Sequence, residues 1–244
     1  MNYLTGFHAI EERIKSAGST GQCGPLLVAK AGPRARELVS LAVSCRIRVD
    51  RVGAFELDRL APDNRGVALT VEDIGRSGFV MSVEEFINGL GDRKEALALI
   101  LDEITDPHNY GAILRSCDQF GVDLVISRSR RNAKHADVIS KTSAGAVSWV
   151  PQTETPNLVR AAGQLKDAGF WLYGADMHGE PVHKIDLRGR TALVLGGEGT
   201  GISRLLKEYC DGMAGIPVKG RIDSLNVSVA AGVLLYEVQR QRMA

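Results

Sequence analysis

Three short stretches of this chain gather the residue types that could do chemistry. In the first, DPHNYGAILRS (106–116), Asp106-Pro107 and Asn109 supply turn and cap chemistry, and Arg115 follows within the first turns of a helix, close to a sheet edge. On these residues alone, a surface ion pair between Arg115 and an acid such as Asp118 is the simpler reading of the arginine. The second stretch, LGGEGTGIS (195–203), sets four glycines in six positions between a strand and a helix, a density that implies close backbone approach to a ligand or turns with positive φ. Gly196 and Gly201 have the separation of a phosphate-binding loop, and Ser203 stands where a magnesium-binding hydroxyl would be. Ile202, however, replaces the lysine that grips β- and γ-phosphates, which argues against a nucleoside triphosphatase. Gly197, Gly199 and Gly201 also miss the dinucleotide fingerprint, because the third glycine comes one position early. The loop suits a ligand without a triphosphate. The third stretch, IPVKGRIDSLNVSVAA (216–231), clusters Ser224, Asn226 and Ser228. Capping of the final helix by Ser224 or Asn226 accounts for one of them, and neutral hydrogen-bonding groups in such number suit a ribose edge.

Ligands of doubly wound sheets sit beyond the carboxyl ends of strands, so strands must position these stretches. From Ala96 onward the apolar runs ALALIL, DLVIS, FWLYG and ALVLG alternate with helical patterns, which predicts βαβ units and a mainly parallel sheet buried on both faces. A helix is expected over 112–120 and a long one over 225–243. Earlier in the chain a smaller α/β module is expected, with helices over 4–17 and 34–44 and strands at 26–29, 46–52 and 66–72. Scattered Gly and Ser over 73–94 surround one amphipathic stretch (Val83, Phe86, Ile87, Leu90), read as a linker carrying a short helix. The division is therefore a small domain over 1–73, a linker over 74–94 and a larger α/β domain over 95–244.

Composition sets bounds on partners. With 44% hydrophobic and 24% charged residues the chain can build packed cores, which removes disorder and fibrous architectures from consideration. The formal net charge is only +1, so a polyanionic partner would need local positive charge. Arg130, Arg131, Lys134 and Lys141 could supply it, with a merely solvated basic loop as the alternative. Cys23, Cys45, Cys117 and Cys210 lie far apart with no C-x-x-C pair, which points away from zinc and disulfides and toward a reducing compartment, the cytoplasm. The first residues lack the uninterrupted apolar centre of a signal peptide, and no apolar run approaches the roughly 20 residues of a membrane helix, so no membrane role is expected.

In order and at the expected intervals, DPHNYGAILRS, LGGEGTGIS and IPVKGRIDSLNVSVAAG resemble the three motifs of the SpoU branch of the SPOUT RNA methyltransferases, over roughly residues 97–242. The leading module resembles the L30e-like RNA-binding domain that precedes the catalytic domain in 23S ribosomal RNA guanosine 2′-O-methyltransferases. The resemblance implies an α/β catalytic domain with a deep C-terminal trefoil knot, a homodimer, and S-adenosylmethionine held largely by backbone groups at Gly196, Ile216 and Leu225, to which Leu195, Gly197 and Gly201 of the glycine loop are added as expected cofactor contacts. Two departures stand out: Val218 occupies a place where Met is usual, and Tyr110 one normally aliphatic.

The reaction so implied is methyl transfer to a ribose 2′-hydroxyl of a structured RNA, a guanosine of 23S ribosomal RNA first. A transfer RNA guanosine is the alternative substrate, and a non-catalytic assembly factor the rival from another class. The sulfonium methyl is already activated, so positioning and proton removal remain, and no metal is implied. Arg115 matches the essential arginine of the family, as stabiliser of the developing alkoxide through phosphate and 2′-oxygen or as the base itself; a pKa above about 12 favours the first. Asn109 and Asn226 would orient the ribose and Arg115, Ser224 would hydrogen-bond near the reacting hydroxyl, and Glu198 would fix the guanidinium or merely organise its loop.

Overall fold

A computed structural model describes residues 2–17, 23–30, 32–62, 64–71, 80–128, 136–220 and 224–243. Contacts divide the chain into two compact units, one drawn from 1–78 and 132–149, the other from 79–131 and 150–244.

Alternation of side chains along short strands lets the first unit bury both faces of its sheet. Strands β1 (Asn2–Leu4), β2 (Leu26–Val28), β3 (Val49–Arg51) and β4 (Val67–Val71) are ordered β1-β4-β2-β3, with β2 parallel to β3 and β4 antiparallel to its neighbours β1 and β2. Leu26 and Val28 face a core with Ile10 and Ile14 of α1 (Phe7–Ala17) and Leu38 of α2 (Pro33–Ser44). Leu27 faces the other way, onto Leu57 and Ala61 at α3 (Ala54–Leu60). A further helix, α6 (Ala136–Thr142), and the turn after it belong to this unit; Gly145, at φ +95°, sits so close to α1 that a Cβ there would lie 3.1 Å from Ala9 Cα.

The second unit holds a six-stranded sheet of order β10-β8-β9-β5-β6-β7, parallel throughout. Its strands are β5 (Ala96–Asp102), β6 (Leu124–Arg128), β7 (Gln152–Thr155), β8 (Trp171–Pro181), β9 (Arg190–Gly196) and β10 (Gly212–Gly215). β5 is buried along its whole length, as a continuous apolar run requires of a central parallel strand. Helices α4 (Val83–Leu90), α7 (Leu158–Asp167) and α8 (Arg204–Tyr209) contribute Val83, Phe86, Leu158, Leu165 and Leu206 to the core on one face. The short helix expected within 74–94 is thus α4, started by a reciprocal Ser82–Glu85 capping box and packed into the second unit. Helices α5 (Pro107–Gln119) and α9 (Val227–Met243) pack together, with Gly232 beside Ser116 and Tyr236 edge-on to Phe120 at 6.2 Å. No described helix is long and apolar enough to cross a membrane.

Two helix starts bear on the site. α5 begins at Pro107 rather than at 112, because the Asp106 carboxylate accepts the Asn109 N–H at 2.9 Å and Pro107 suits the first helical turn. α9 begins after Asn226, whose Oδ1 accepts from Ser228 N (3.0 Å), Ser228 Oγ (2.6 Å) and Val229 N (3.4 Å). β10 ends at Gly215, immediately before the third stretch.

Candidate active site

Register brings the two chemical loops together. β5 and β9 are neighbours, and Asp102 pairs with Gly196, so the loops leaving both strands emerge side by side. A Cβ on Gly197 would lie 2.8 Å from the Glu103 carbonyl oxygen, which measures how tightly the loops abut. Asp102 is fully buried, and its Oδ2 accepts the Ser203 N–H at 2.8 Å, tying the end of β5 to the far end of the glycine loop. Its Oδ1 has no hydrogen-bond partner among the described residues and faces Arg128 Nη2 at 3.6 Å.

The glycines of 196–201 have separate reasons. A Cβ on Gly196 would fall 2.0 Å from the Gly201 carbonyl carbon, so the loop can fold back on itself only with glycine there. Gly199 and Gly201 adopt φ of +83° and +66°, a region that L side chains rarely enter. Close approach at Gly196 is therefore to the chain itself.

Beside this loop lies a cavity of about 600 Å³, within the roughly 300–1,000 Å³ usual for small-molecule sites. All six residues assigned to the cofactor from the sequence, Leu195, Gly196, Gly197, Gly201, Ile216 and Leu225, line it. Glu198, Ser224 and Asn226 line it too, and Ser224 is exposed. Sequence reasoning missed the wall provided by β8, where Asp176, Met177 and His178 face the same space together with Lys207. Lys207 Nζ meets Asp176 Oδ2 at 2.6 Å, and this ammonium holds the Asp176 carboxyl below the usual carboxylate range. A lone lysine already paired to a carboxylate leaves little to hold a polyphosphate. Apolar walls from Leu195, Ile202, Ile216 and Leu234, backbone amides of the glycine loop and a few charged groups match a nucleoside carrying an amino acid, such as S-adenosylmethionine.

At the cavity's edge three side chains close a hydrogen-bonded triangle. Glu198 Oε1 accepts from Asn226 Nδ2 at 2.8 Å and from Asn109 Nδ2 at 3.1 Å, and Asn226 Nδ2 also donates to Asn109 Oδ1 at 3.0 Å. Because Asn226 Oδ1 caps α9, its amide is left pointing at Glu198 and Asn109. Arg115 is exposed on α5 and, among the described residues, has neither a hydrogen bond nor an ion pair. The pair with Asp118 is absent, and Glu198 holds two asparagines rather than the guanidinium. Tyr110 is accommodated by polar contacts: its hydroxyl donates to Gln152 Oε1 at 3.0 Å and lies 3.5 Å from Ser127 Oγ, and burial pushes the phenol up to about 12. Of the basic stretch, Lys141 lies in α6, while Arg130, Arg131 and Lys134 fall outside the described residues.

Comparison with known proteins gives two family matches. Residues 96–236 match the SpoU rRNA Methylase family, and residues 3–74 match the family described as RNA 2'-O ribose methyltransferase substrate binding. The 23S rRNA (guanosine-2'-O-)-methyltransferase RlmB of Bordetella pertussis is 38% identical over 242 residues, which span 98% of this chain and 97% of that protein. A crystal structure of an RNA 2'-O ribose methyltransferase superposes with a TM-score of 0.78 at 26% identity, covering 99% of this chain and 89% of the other. The SpoU methyltransferase AviRb from Streptomyces viridochromogenes, solved with AdoMet, shares the fold with a TM-score of 0.75 at 24% identity over 99% of this chain and 90% of its own.

Proposed function

The chain belongs to the SpoU rRNA methylase family, and from that premise we propose that the 600 Å³ cavity is its cofactor site and the Asn109–Glu198–Asn226 triangle the place where the target ribose docks. It is an S-adenosylmethionine-dependent ribosomal RNA 2′-O-methyltransferase. The observation that carries the site assignment is the triangle, because it joins all three sequence stretches at the cavity's edge with every amide committed.

S-adenosylmethionine supplies an electrophilic methyl group when bound. Leu195, Gly196, Gly197, Gly201, Ile216 and Leu225 would hold it, with Asp176 and Lys207 as the charged groups available to its amino-acid end. Glu198 keeps both asparagines in place, Asn109 and Asn226 orient the ribose, and Ser224 hydrogen-bonds close to the reacting hydroxyl. Arg115, without a partner among the described residues, is available to grip a phosphate and the 2′-oxygen as it gains charge.

The finer reading is a guanosine of 23S ribosomal RNA, supported by the full-length likeness to RlmB of B. pertussis. Residues 1–73 serve as an L30e-like substrate-binding domain and 95–244 as the catalytic domain, in keeping with the matches at 3–74 and 96–236, although α4 of the intervening 74–94 packs into the second unit and 132–149 into the first. A C-terminal trefoil knot involving the Gly196 loop and the Ile216–Leu225 stretch is in keeping with the contact that brings Asn226 against Glu198 of the earlier loop. Homodimerisation is supported by α9: Val229, Val233 and Tyr236, at helical spacing, are 51%, 38% and 52% exposed on a helix whose opposite face is buried. The cytoplasm, where ribosomal RNA is found, is the compartment proposed. The test is transfer of labelled methyl from S-adenosylmethionine to transcribed 23S ribosomal RNA. Label in a 2′-O-methylated nucleotide is expected; label on a base, or none, would contradict the reading.

A further inference from the structure

One end of the first unit's sheet carries an unusual surface. The chain leaves β2 and β3 and enters β4 at this end, since Val28 pairs with both Arg51 and Val67. Ala29 N and Lys30 N donate to the Gly66 carbonyl at 2.9 and 3.3 Å, and Val52 N donates to the Val28 carbonyl at 3.1 Å. These bonds gather Lys30, Arg51 and Arg65 around one edge, each exposed and without an ion-pair partner among the described residues. Directly after Gly53, α3 presents Phe55, 84% exposed and absent from the apolar clusters of the unit. Arg59, one turn later on the same helix face, is likewise exposed and unpaired. Two carboxylates lie close by: Glu56 is exposed, and Asp58 is taken up by Asn64 Nδ2 at 2.7 Å.

An aromatic ring left in water on a surface whose four cations have no ion-pair partner among the described residues is costly for folding and useful for nucleic acid. One ring offers too little apolar surface for a protein interface, which buries about 1,200–2,000 Å². A nucleobase stacked on a ring needs no more than that, and the phosphates on either side of it need the cations. We propose that this edge is an RNA-gripping platform on which Phe55 stacks an unpaired base of the substrate, while Lys30, Arg51, Arg59 and Arg65 hold the flanking phosphates. The proposal rests on the ribosomal RNA methyltransferase reading and adds where the RNA is held and in what form: a strand with a base free of pairing.

The experiment is fluorescence anisotropy of the full chain with two RNAs, a transcribed 23S stem-loop with unpaired loop bases and the same stem as an uninterrupted duplex. Phe55→Ala is expected to weaken stem-loop binding roughly tenfold or more, to leave duplex binding and the salt dependence unchanged, and to melt as the wild type does. Phe55→Trp should retain the affinity and Phe55→Leu should not, which separates stacking from greasy contact. Arg51→Ala and Arg65→Ala should weaken both RNAs and each lower the slope of log K against log salt by about one. Stem-loop binding by Phe55→Ala within about twofold of wild type, or a leucine as good as the phenylalanine, would overturn the platform. Wild-type protein that binds neither RNA would instead remove the RNA reading on which it rests.

Discussion

Within the second unit, the Asn109–Glu198–Asn226 triangle and Arg115 are held in opposite ways. The triangle closes on itself: each amide and the shared carboxylate oxygen have partners at 2.8–3.1 Å, and the helix starts at Asp106 and Asn226 fix their backbone. Arg115 sits on the same helix as Asn109, exposed and with no partner among the described residues. A group that must position a ribose is best set before the ribose arrives. A group that must answer charge appearing on an oxygen is best left uncommitted, because a resident carboxylate would already have neutralised it. On the proposed roles, the contrast separates positioning by the triangle from charge stabilisation by Arg115, with Asn109 and Arg115 on one helix.

The division can be broken by mutation, and the largest effect is expected from Arg115→Ala. Methyl transfer should fall about 10² to 10³ in single-turnover rate while S-adenosylmethionine affinity stays near wild type, because this side chain acts only as charge develops. Arg115→Lys should rescue little, since an ammonium lacks the planar fork. Single-turnover assays beside calorimetric titration separate the two quantities; a rate within about threefold of wild type would return Arg115 to the surface.

Gly196→Val should do the reverse. Its Cβ has no room beside Gly201, so the loop must shift, and a misplacement of about 1 Å costs on the order of 10² in a positioned site. Calorimetry should show cofactor affinity lost to that extent in a protein that remains folded, and unchanged binding would detach the loop from the cofactor. The smallest effect is expected from Glu198→Gln, which keeps an acceptor oxygen for the two asparagines but removes the charge that strengthens both bonds. About a fivefold drop in kcat, with cofactor affinity unchanged, sharpens the view that Glu198 positions rather than reacts. A loss as large as that of Arg115→Ala would erase the distinction.

Much of this arrangement was legible in the sequence, for physical reasons that vary along the chain. β5 and β9 announce themselves because a parallel strand buried on both faces must be apolar throughout. The glycine density of 196–201 was legible as a need for backbone freedom, but its cause was not: Gly196 accommodates Gly201, a neighbour that only the folded loop reveals. β1 and α3, at 3 and 7 residues, are too short for periodicity to rise above chance. α4 looked like part of a linker because its Ser82–Glu85 capping box lies among small residues, yet its apolar face belongs to a core. Asp102 carries no motif; its partner Ser203 lies 101 residues away, and strand register alone joins them. The likeness at three motifs singled out the residues proposed to react, whereas the cavity wall from β8 and Lys207 depends on pairing between strands that no local pattern encodes.

The central claim, that this chain methylates a ribose of ribosomal RNA through a site requiring Arg115, is tested most directly in cells. Ribose methylation would be mapped across total RNA from a strain lacking the gene and from the same strain carrying either the wild-type chain or Arg115→Ala. One 2′-O-methylguanosine of 23S ribosomal RNA should vanish with the gene, return with the wild type and stay absent with the variant. A methylation map unchanged by loss of the gene, or restored in full by Arg115→Ala, would contradict the account.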